Sequence, residues 1–263
     1  MASFALSPYR VAGTAFITGG ASGILFSSPH PGIGKAVATT FARNGIENIA
    51  LLDINESALQ PTKADLGAEF PDINIIALFA DVASEEDVAK AVESVVEQFG
   101  RIDVAVHAAG IAHLPGRTHE LRMADWQKVI SVNQTGIFIC VKAVITQMLR
   151  QEYASGFKGV IVNVASVMGV RIPDIRVGAA AYVASKHAII GLTRLDAKLY
   201  GRDGIRINAI SLAAGHLDFE IDRTAIGRSA RAEEVANAVL FLSSPMSSYV
   251  YGSTLMVDGG YSL

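Results

Sequence analysis

The run 182-YVASK-186 sets a phenol and an ammonium four residues apart. On a helix that spacing puts both side chains on one face. A free tyrosine titrates at about 10, too high for easy proton transfer at neutral pH. A neighbouring cation favours the phenolate, and a proton donor works best with a pKa near the working pH. We therefore expect Lys186 to draw the Tyr182 pKa downward. Ser166, in 163-NVASVMG-169, closes the apolar run before this segment. Its hydroxyl could hydrogen-bond a carbonyl or hydroxyl oxygen held beside the tyrosine. A tyrosine and a lysine four apart also arise by chance on surface helices, so the pair needs support from the rest of the chain.

A second constellation is rich in glycine: 18-TGGASGILFSSPHPGIGKAVA-38. Gly19, Gly20, Gly23, Gly32 and Gly34 follow a short apolar run. Residues without a Cβ permit left-handed torsions and close backbone approach, and the N-terminus of a following helix can receive a pyrophosphate. The bland alternative is an ordinary flexible connection. Asp53 stands 19 residues beyond Gly34, near the offset of an acid that binds a ribose 2′-OH. It could equally cap the next helix, a role open to Asn55 as well. Its charge would repel a 2′-phosphate, and no Arg follows at once in 53-DINES-57, which favours NAD over NADP without excluding the latter. Asp81 ends a further apolar run, where it could reach an adenine edge or close a turn.

The elements that must position these residues alternate along the whole chain. Strands are predicted over 13–18, 48–53, 74–80, 103–108, 159–165, 206–211 and 253–258, with helices near 35–43, 56–69, 84–99, 123–150, 181–200 and 231–243. Strands that are apolar throughout suit a parallel sheet covered on both faces, and strand–helix alternation at this spacing predicts a doubly wound α/β fold. No linker or repeat divides the 263 residues, so a single domain is expected.

Composition narrows the remaining classes. Apolar residues make up 51% and charged residues 18%, enough for a buried core. A net charge of −3 offers no general attraction to nucleic acid or an anionic membrane. No uninterrupted apolar run approaches a membrane span and the N-terminus lacks the pattern of a signal peptide, so a soluble, cytoplasmic protein is expected. The lone Cys140 excludes an internal disulfide and reads as core in GIFICVKAVI. His107, His113 and His119 lack metal-ligand spacing, Trp126 reads as a packing residue of its helix or of a subunit contact, and 84-SEEDVAKAVESVVEQFG-100 as an amphipathic helix with a Ser cap.

Taken together and in order, TGGASG…GIG, LLD, Asp81–Val82, 107-HAAGI-111, 131-SVNQTG-136, NVASVMG, YVASK, 204-GIRINAIS-211, 231-RAEEVANAVLFLSS-244 and 257-VDGG-260 resemble the short-chain dehydrogenase/reductase (SDR) family over nearly the whole chain. The resemblance implies a Rossmann-type sheet of about seven parallel strands, a homo-oligomer (tetramer or dimer), and hydride transfer between a nicotinamide cofactor and a secondary alcohol or ketone of a small, apolar molecule. It implies Tyr182 as general acid/base, Lys186 as its partner and holder of the nicotinamide ribose, Ser166 as the group orienting the substrate oxygen, and Asn133, in the kink-prone VNQTG of a long helix, as the holder of a water that links Lys186 to solvent. It further implies that Gly19, Ser22, Gly23, Ile33 and Gly34 form the phosphate loop, that Asp53 selects NAD, that Asp81 and Val82 border the adenine, and that Ala109 and Gly110 pass beside its ribose.

Three departures from the family pattern matter. Residues 24–32 interrupt the glycine loop, and without them it reads TGGASGIGKAVA; the extra residues could loop outward or reflect an error in how the coding sequence was assembled. The stretch 210-ISLAAGHLDFEIDRTAIGR-228 lacks the expected Pro-Gly and is short, which predicts a reduced substrate lid. HAAG replaces the common NNAG, and Ser166 and Tyr182 are 16 apart, slightly wider than usual. Two alternatives stay open. One is a reductase of 3-oxoacyl thioesters, with Arg171 and Arg176 near the pocket mouth; the other is a catalytically impaired relative kept for nucleotide sensing or subunit interaction.

Overall fold

A computed structural model describes residues 9–21, 32–112, 116–154, 156–172, 178–213 and 221–263. Among the described residues seven strands form one sheet: β1 (Thr14–Thr18), β2 (Asn48–Asp53), β3 (Asn74–Phe79), β4 (Val104–His107), β5 (Gly159–Val164), β6 (Ile205–Leu212) and β7 (Thr254–Val257). Their order is β3-β2-β1-β4-β5-β6-β7 and every pairing is parallel. The order reverses between β1 and β4, so the crevice at their carboxyl ends is the place for a ligand in such a sheet. The predicted doubly wound α/β fold is what the chain adopts, with strand boundaries within about two residues of the predicted ones.

Each sheet face has its own core. One packs Val104, Val106, Val160, Val162 and Val164 beneath α1 (Ile33–Arg43) and α7 (Ala232–Ser243). The other packs Phe16, Ala105, Ile161 and Ile207 beneath α3 (Glu85–Phe99), α5 (Ile137–Leu149) and α6 (Ala180–Tyr200). Central strands β1, β4, β5 and β6 are buried at every position, whereas the edge strands β3 and β7 are half-exposed. This is the reason the central strands carry apolar residues on both faces.

Local signals set the helix ends. Ser84 caps α3 by accepting from the Asp87 N–H at 3.1 Å, three acids fill the first turn, and Gly100 ends it at φ 81°. Asn55 caps α2 (Glu56–Glu69), accepting from the Ala58 N–H at 3.2 Å. Asn55 thus takes the capping role left open above.

The helix predicted over 123–150 is interrupted. It consists of α4 (Met123–Ile130), a π-helical stretch at Ser131–Gly136, and α5. A π-bulge inserts a residue into the turn and often marks a functional site. A Cβ at Gly136 would stand 2.9 Å from Val82 Cγ2, so glycine lets this stretch lie against the end of β3. Met123–Leu149 is also the one helix among the described residues that is long and apolar enough to cross a membrane, with a mean hydropathy of 1.6. Half of that window is buried inside the protein, as befits a core helix. Cys140 lies in it at 1% exposure, and burial pushes its thiol up to about 12. Among the described residues no group of three His, Cys, Asp or Glu side chains could hold a metal ion.

Candidate active site

The β1–α1 turn is built from close backbone contacts. Gly19 has φ 67°, and a Cβ there would lie 2.9 Å from the Ala109 nitrogen. A Cβ on Gly34 would lie 2.1 Å from the Gly19 carbonyl oxygen, so only glycine lets the start of α1 meet the end of β1. Thr18 Oγ1 accepts from the Ala109 N–H at 3.2 Å, and the Gly20 N–H donates to the Leu52 carbonyl at 3.0 Å. These contacts draw the ends of β1, β2 and β4 together.

Asp53, 5% exposed, closes the same crevice from β2. Its Oδ2 accepts from the Ala21 N–H at 3.0 Å and its Oδ1 from the Asn55 N–H at 2.9 Å. α1 begins after Gly32 with no side-chain cap and no acid in its first turn. Its first N–H groups therefore have no partner within the helix. A positive helix end, glycines at its start and a buried carboxylate on the next strand fit a dinucleotide: phosphate at the start of the helix, ribose hydroxyls on Asp53.

The other predicted cofactor contacts sit at the same edge in unequal ways. Ile33 is 1% exposed and its side chain belongs to the core, leaving only its backbone to the turn. Val82 packs with Ile139 and Cys140. Asp81 closes a turn, its Oδ1 accepting from the Ala83 N–H at 2.9 Å. Ala109 and Gly110 line the crevice half-buried. Ser22 and Gly23, with residues 24–31 of the interrupting stretch, lie outside the described residues.

The catalytic face is made by buried side chains. Ser166 follows β5 at 7% exposure, and its Oγ accepts from the Met168 N–H at 3.2 Å, capping a short 3-10 turn, Val167–Gly169. A Cβ on Gly169 would stand 2.6 Å from the Lys186 carbonyl oxygen, so this turn can lie directly on α6. Ser166 thereby comes within hydrogen-bonding reach of the Tyr182 phenol. Lys186 is fully buried, its Nζ donating to the Val164 carbonyl at 2.9 Å and lying 5.5 Å from the Tyr182 ring centroid. Ser185 Oγ donates to the Tyr182 carbonyl at 2.7 Å. Asn133 Nδ2 lies 3.5 Å from Ser185 Oγ and donates to the Ile111 carbonyl at 2.7 Å, while its Oδ1 accepts from the Ile111 N–H. The Asn133 amide thus ties the π-helical stretch to the segment after β4.

The electrostatics run opposite to the expectation from spacing. Burial pushes the Tyr182 phenol up to about 12, with the Ser166 hydrogen bond opposing the shift. Burial also pulls the Lys186 ammonium down to about 7. Desolvation penalises the charged form of each group, and it outweighs the mutual attraction from which a lower Tyr182 pKa was expected. Part of the Tyr182 residue still reaches solvent.

Residues 29–262 match the family described as "Enoyl-(Acyl carrier protein) reductase". The cis-4-hydroxycyclohexanecarboxylate dehydrogenase of Sinomonas cyclohexanicum is 37% identical, over 94% of this chain and 95% of its own length. The levodione reductase of Leifsonia aquatica is 35% identical, over 91% of this chain and 93% of its own. The chain belongs to the short-chain dehydrogenase/reductase family. Among solved SDR structures, an NAD+-bound xylitol dehydrogenase superimposes with a TM-score of 0.83 at 31% identity, covering 94% of this chain and 98% of its own. Such relatives make this protein an oxidoreductase of the alcohol dehydrogenase type.

The SDR fold here brings Ser166, Tyr182 and Lys186 together and gathers Gly19, Gly34, Asp53, Ala109 and Gly110 at the neighbouring crevice. Sequence reading missed Gly169, Ser185 and the Val164 carbonyl. Gly169 stood within the quoted NVASVMG and Ser185 within YVASK, yet nothing in either motif says that a Cβ would strike α6 or that the serine holds the Tyr182 carbonyl. The short return after β6 is described from Ile221 onward, where the Ile226 N–H donates to the Gly259 carbonyl at 3.3 Å. Gly259, at φ 59°, and Gly260, at φ 83°, form the turn in VDGG that receives it.

Proposed function

We propose that this SDR interconverts a secondary alcohol and a ketone of a small, mostly apolar molecule, with NAD preferred to NADP, as a cytoplasmic homo-oligomer. The observation that carries the reading is the convergence of Tyr182, Ser166 and Lys186 beside the crevice that fits a dinucleotide. The preference for NAD rests on the buried Asp53 carboxylate, which disfavours a second phosphate on the ribose it would hold. A bound nicotinamide supplies or accepts the hydride.

The residues of the chain handle the proton. With its pKa near 12, Tyr182 holds its proton at neutral pH, the form needed to protonate a carbonyl oxygen during reduction. Ser166 donates a hydrogen bond to the same oxygen and fixes its distance from the phenol. Lys186, near 7, is the stronger acid of the pair, so returning a proton toward the Tyr182 phenolate runs downhill. The relay to solvent runs past Ser185 and Asn133, where a water completes the path. In the oxidising direction the relay runs in reverse: Tyr182 first gives up its proton toward neutral Lys186, and its phenolate then takes the proton of the alcohol.

The names of the relatives suggest where to begin. One acts on a hydroxycyclohexanecarboxylate and another on xylitol, so alicyclic and polyol-derived ketones belong in one panel with a 3-oxoacyl thioester. Consumption of NADH and of NADPH is followed for each. The reading expects turnover of an alicyclic ketone with NADH faster than with NADPH. Turnover of the thioester alone would favour the alternative drawn from Arg171 and Arg176, of which only the exposed Arg171 is among the described residues. No turnover of any member would contradict the enzymatic reading.

A further inference from the structure

Two glycines on different loops touch at the edge of this site. The Gly116 N–H donates to the Gly178 carbonyl at 2.7 Å. A Cβ on Gly178 would lie 2.0 Å from the Gly116 carbonyl oxygen and 2.6 Å from its carbon. A Cβ on Gly116 would meet no atom within 4 Å. The contact therefore demands glycine at one partner only, and it depends on the N–H of the other.

Both partners lead directly into the catalytic face. Gly178 precedes Ala179, the N-cap of α6, and Tyr182 lies in the first turn of that helix. Ala179 provides no side-chain cap and the first turn holds no acid. Alanine ranks among the poorest N-caps, so the entry of this helix is fixed by main-chain contacts, including the Val183 N–H to the Ala179 carbonyl at 2.8 Å. On the other side, Gly116 joins Arg117, whose N–H donates to Glu120 Oε2 at 3.0 Å in the turn that opens into α4. α4 continues into the π-helical stretch carrying Asn133. One hydrogen bond thus links the entries of the two helices that carry Asn133 and Tyr182.

We propose that the Gly116–Gly178 contact is a positioning clasp for Tyr182, setting where its phenol stands relative to Ser166 and Lys186. The proposal rests on the reading of Tyr182 as the proton donor. Neither glycine touches the reacting atoms; both act through the start of α6.

Three variants of the full chain test it. Gly116→Ala keeps the N–H and places its Cβ in open space, Gly116→Pro removes the donor, and Gly178→Ala forces the two loops apart. The protein is labelled with 3-fluorotyrosine, and the Tyr182 resonance, identified among the seven tyrosines with Tyr182→Phe, is followed by fluorine NMR at fixed pH. NADH affinity, kcat and KM are measured in parallel. Gly116→Ala is expected to match the unaltered chain. Gly116→Pro and Gly178→Ala are expected to move the Tyr182 resonance and lower kcat by about tenfold or more, as a misplaced proton donor should, with NADH affinity within about twofold. An unmoved resonance and unchanged kcat in Gly116→Pro would overturn the proposal, as would equal damage from Gly116→Ala. If Gly178→Ala does not fold, the comparison of the two Gly116 variants decides the matter. If the unaltered chain turns over no ketone, the proposed function fails while the resonance still judges the clasp.

Discussion

The two halves of the site are held together by opposite means. At the β1–α1 turn, position is set by missing atoms: Gly19 and Gly34 let backbone meet backbone, and α1 starts there without a side-chain cap from Gly32. At the catalytic face, position is set by buried polar atoms, with Lys186 on the Val164 carbonyl, Asn133 on Ile111 and Ser185 on the Tyr182 carbonyl. The first arrangement is sensitive to added volume and the second to lost hydrogen bonds. The difference also bears on the interrupted glycine motif. The Gly19–Gly34 contact and the Asp53–Ala21 hydrogen bond are made by residues on either side of 22–31. Lengthening a connection costs only on the order of 1 kcal/mol in closure entropy, so a longer loop need not disturb a cradle built at its edges.

Removing the Tyr182 hydroxyl should separate the halves most sharply. Tyr182→Phe is expected to lower kcat by about 10²–10⁴-fold while leaving NADH binding intact. Parallel losses of turnover and binding would show that the two regions are not independent. Adding one carbon at the other half should do the reverse. The Cβ of Gly34→Ala would lie 2.1 Å from the Gly19 carbonyl, so α1 must shift, at a cost of about 1–3 kcal/mol. NADH titration and a thermal melt would register this as weakened binding and a lower Tm; unchanged values would mean that the turn is loosely packed.

Smaller effects sharpen the contrast. Asp53→Ala is expected to weaken NADH binding by about tenfold and to narrow the preference over NADPH, as loss of a charge-assisted hydrogen bond predicts. Equal weakening for both nucleotides would leave the selectivity of this SDR unexplained by Asp53. The buried Lys186 predicts a stability profile in protein freed of nucleotide. Its folded pKa of about 7 lies below the usual lysine value, so above pH 7 the folded chain has released a proton that the unfolded chain still holds. Stability must then rise from roughly pH 7 to roughly pH 10. Beyond that, unfolded tyrosine ionises while Tyr182 holds its proton to about 12, and stability falls. In Lys186→Met the first rise should be absent from urea midpoints measured across this window, whereas the fall should remain.

The sequence made some of these features legible and hid others for physical reasons. The central strands were readable because burial on both faces leaves apolar runs, and the half-exposed β3 and β7 because they too are mostly apolar. Tyr182 and Lys186 were readable because helical spacing alone brings them to one face. Asp53 and Asn55 stayed ambiguous as caps until the structure showed Asn55 holding the Ala58 N–H. VNQTG was legible as a kink-prone part of a long helix, but its π-helical form was not, because one inserted residue barely alters apolar periodicity. Contacts such as Gly169 on Lys186 and Gly116 on Gly178 join residues distant in sequence, and no local pattern announces them. The direction of the Tyr182 shift was misread because spacing reports a neighbour's charge, and desolvation depends on everything packed around the group.

The central claim is that this SDR has a working nucleotide cradle despite the interrupted motif, because the cradle is made by the flanks of the interruption. Calorimetric titration of NADH into the full chain and into a variant lacking 24–32 tests it most directly. The account predicts binding by both, with affinities within about tenfold of each other, the allowance for a longer closed loop. Binding by the shortened variant alone would contradict it, and would mean that the catalytic face stands assembled beside a crevice unable to hold its nucleotide.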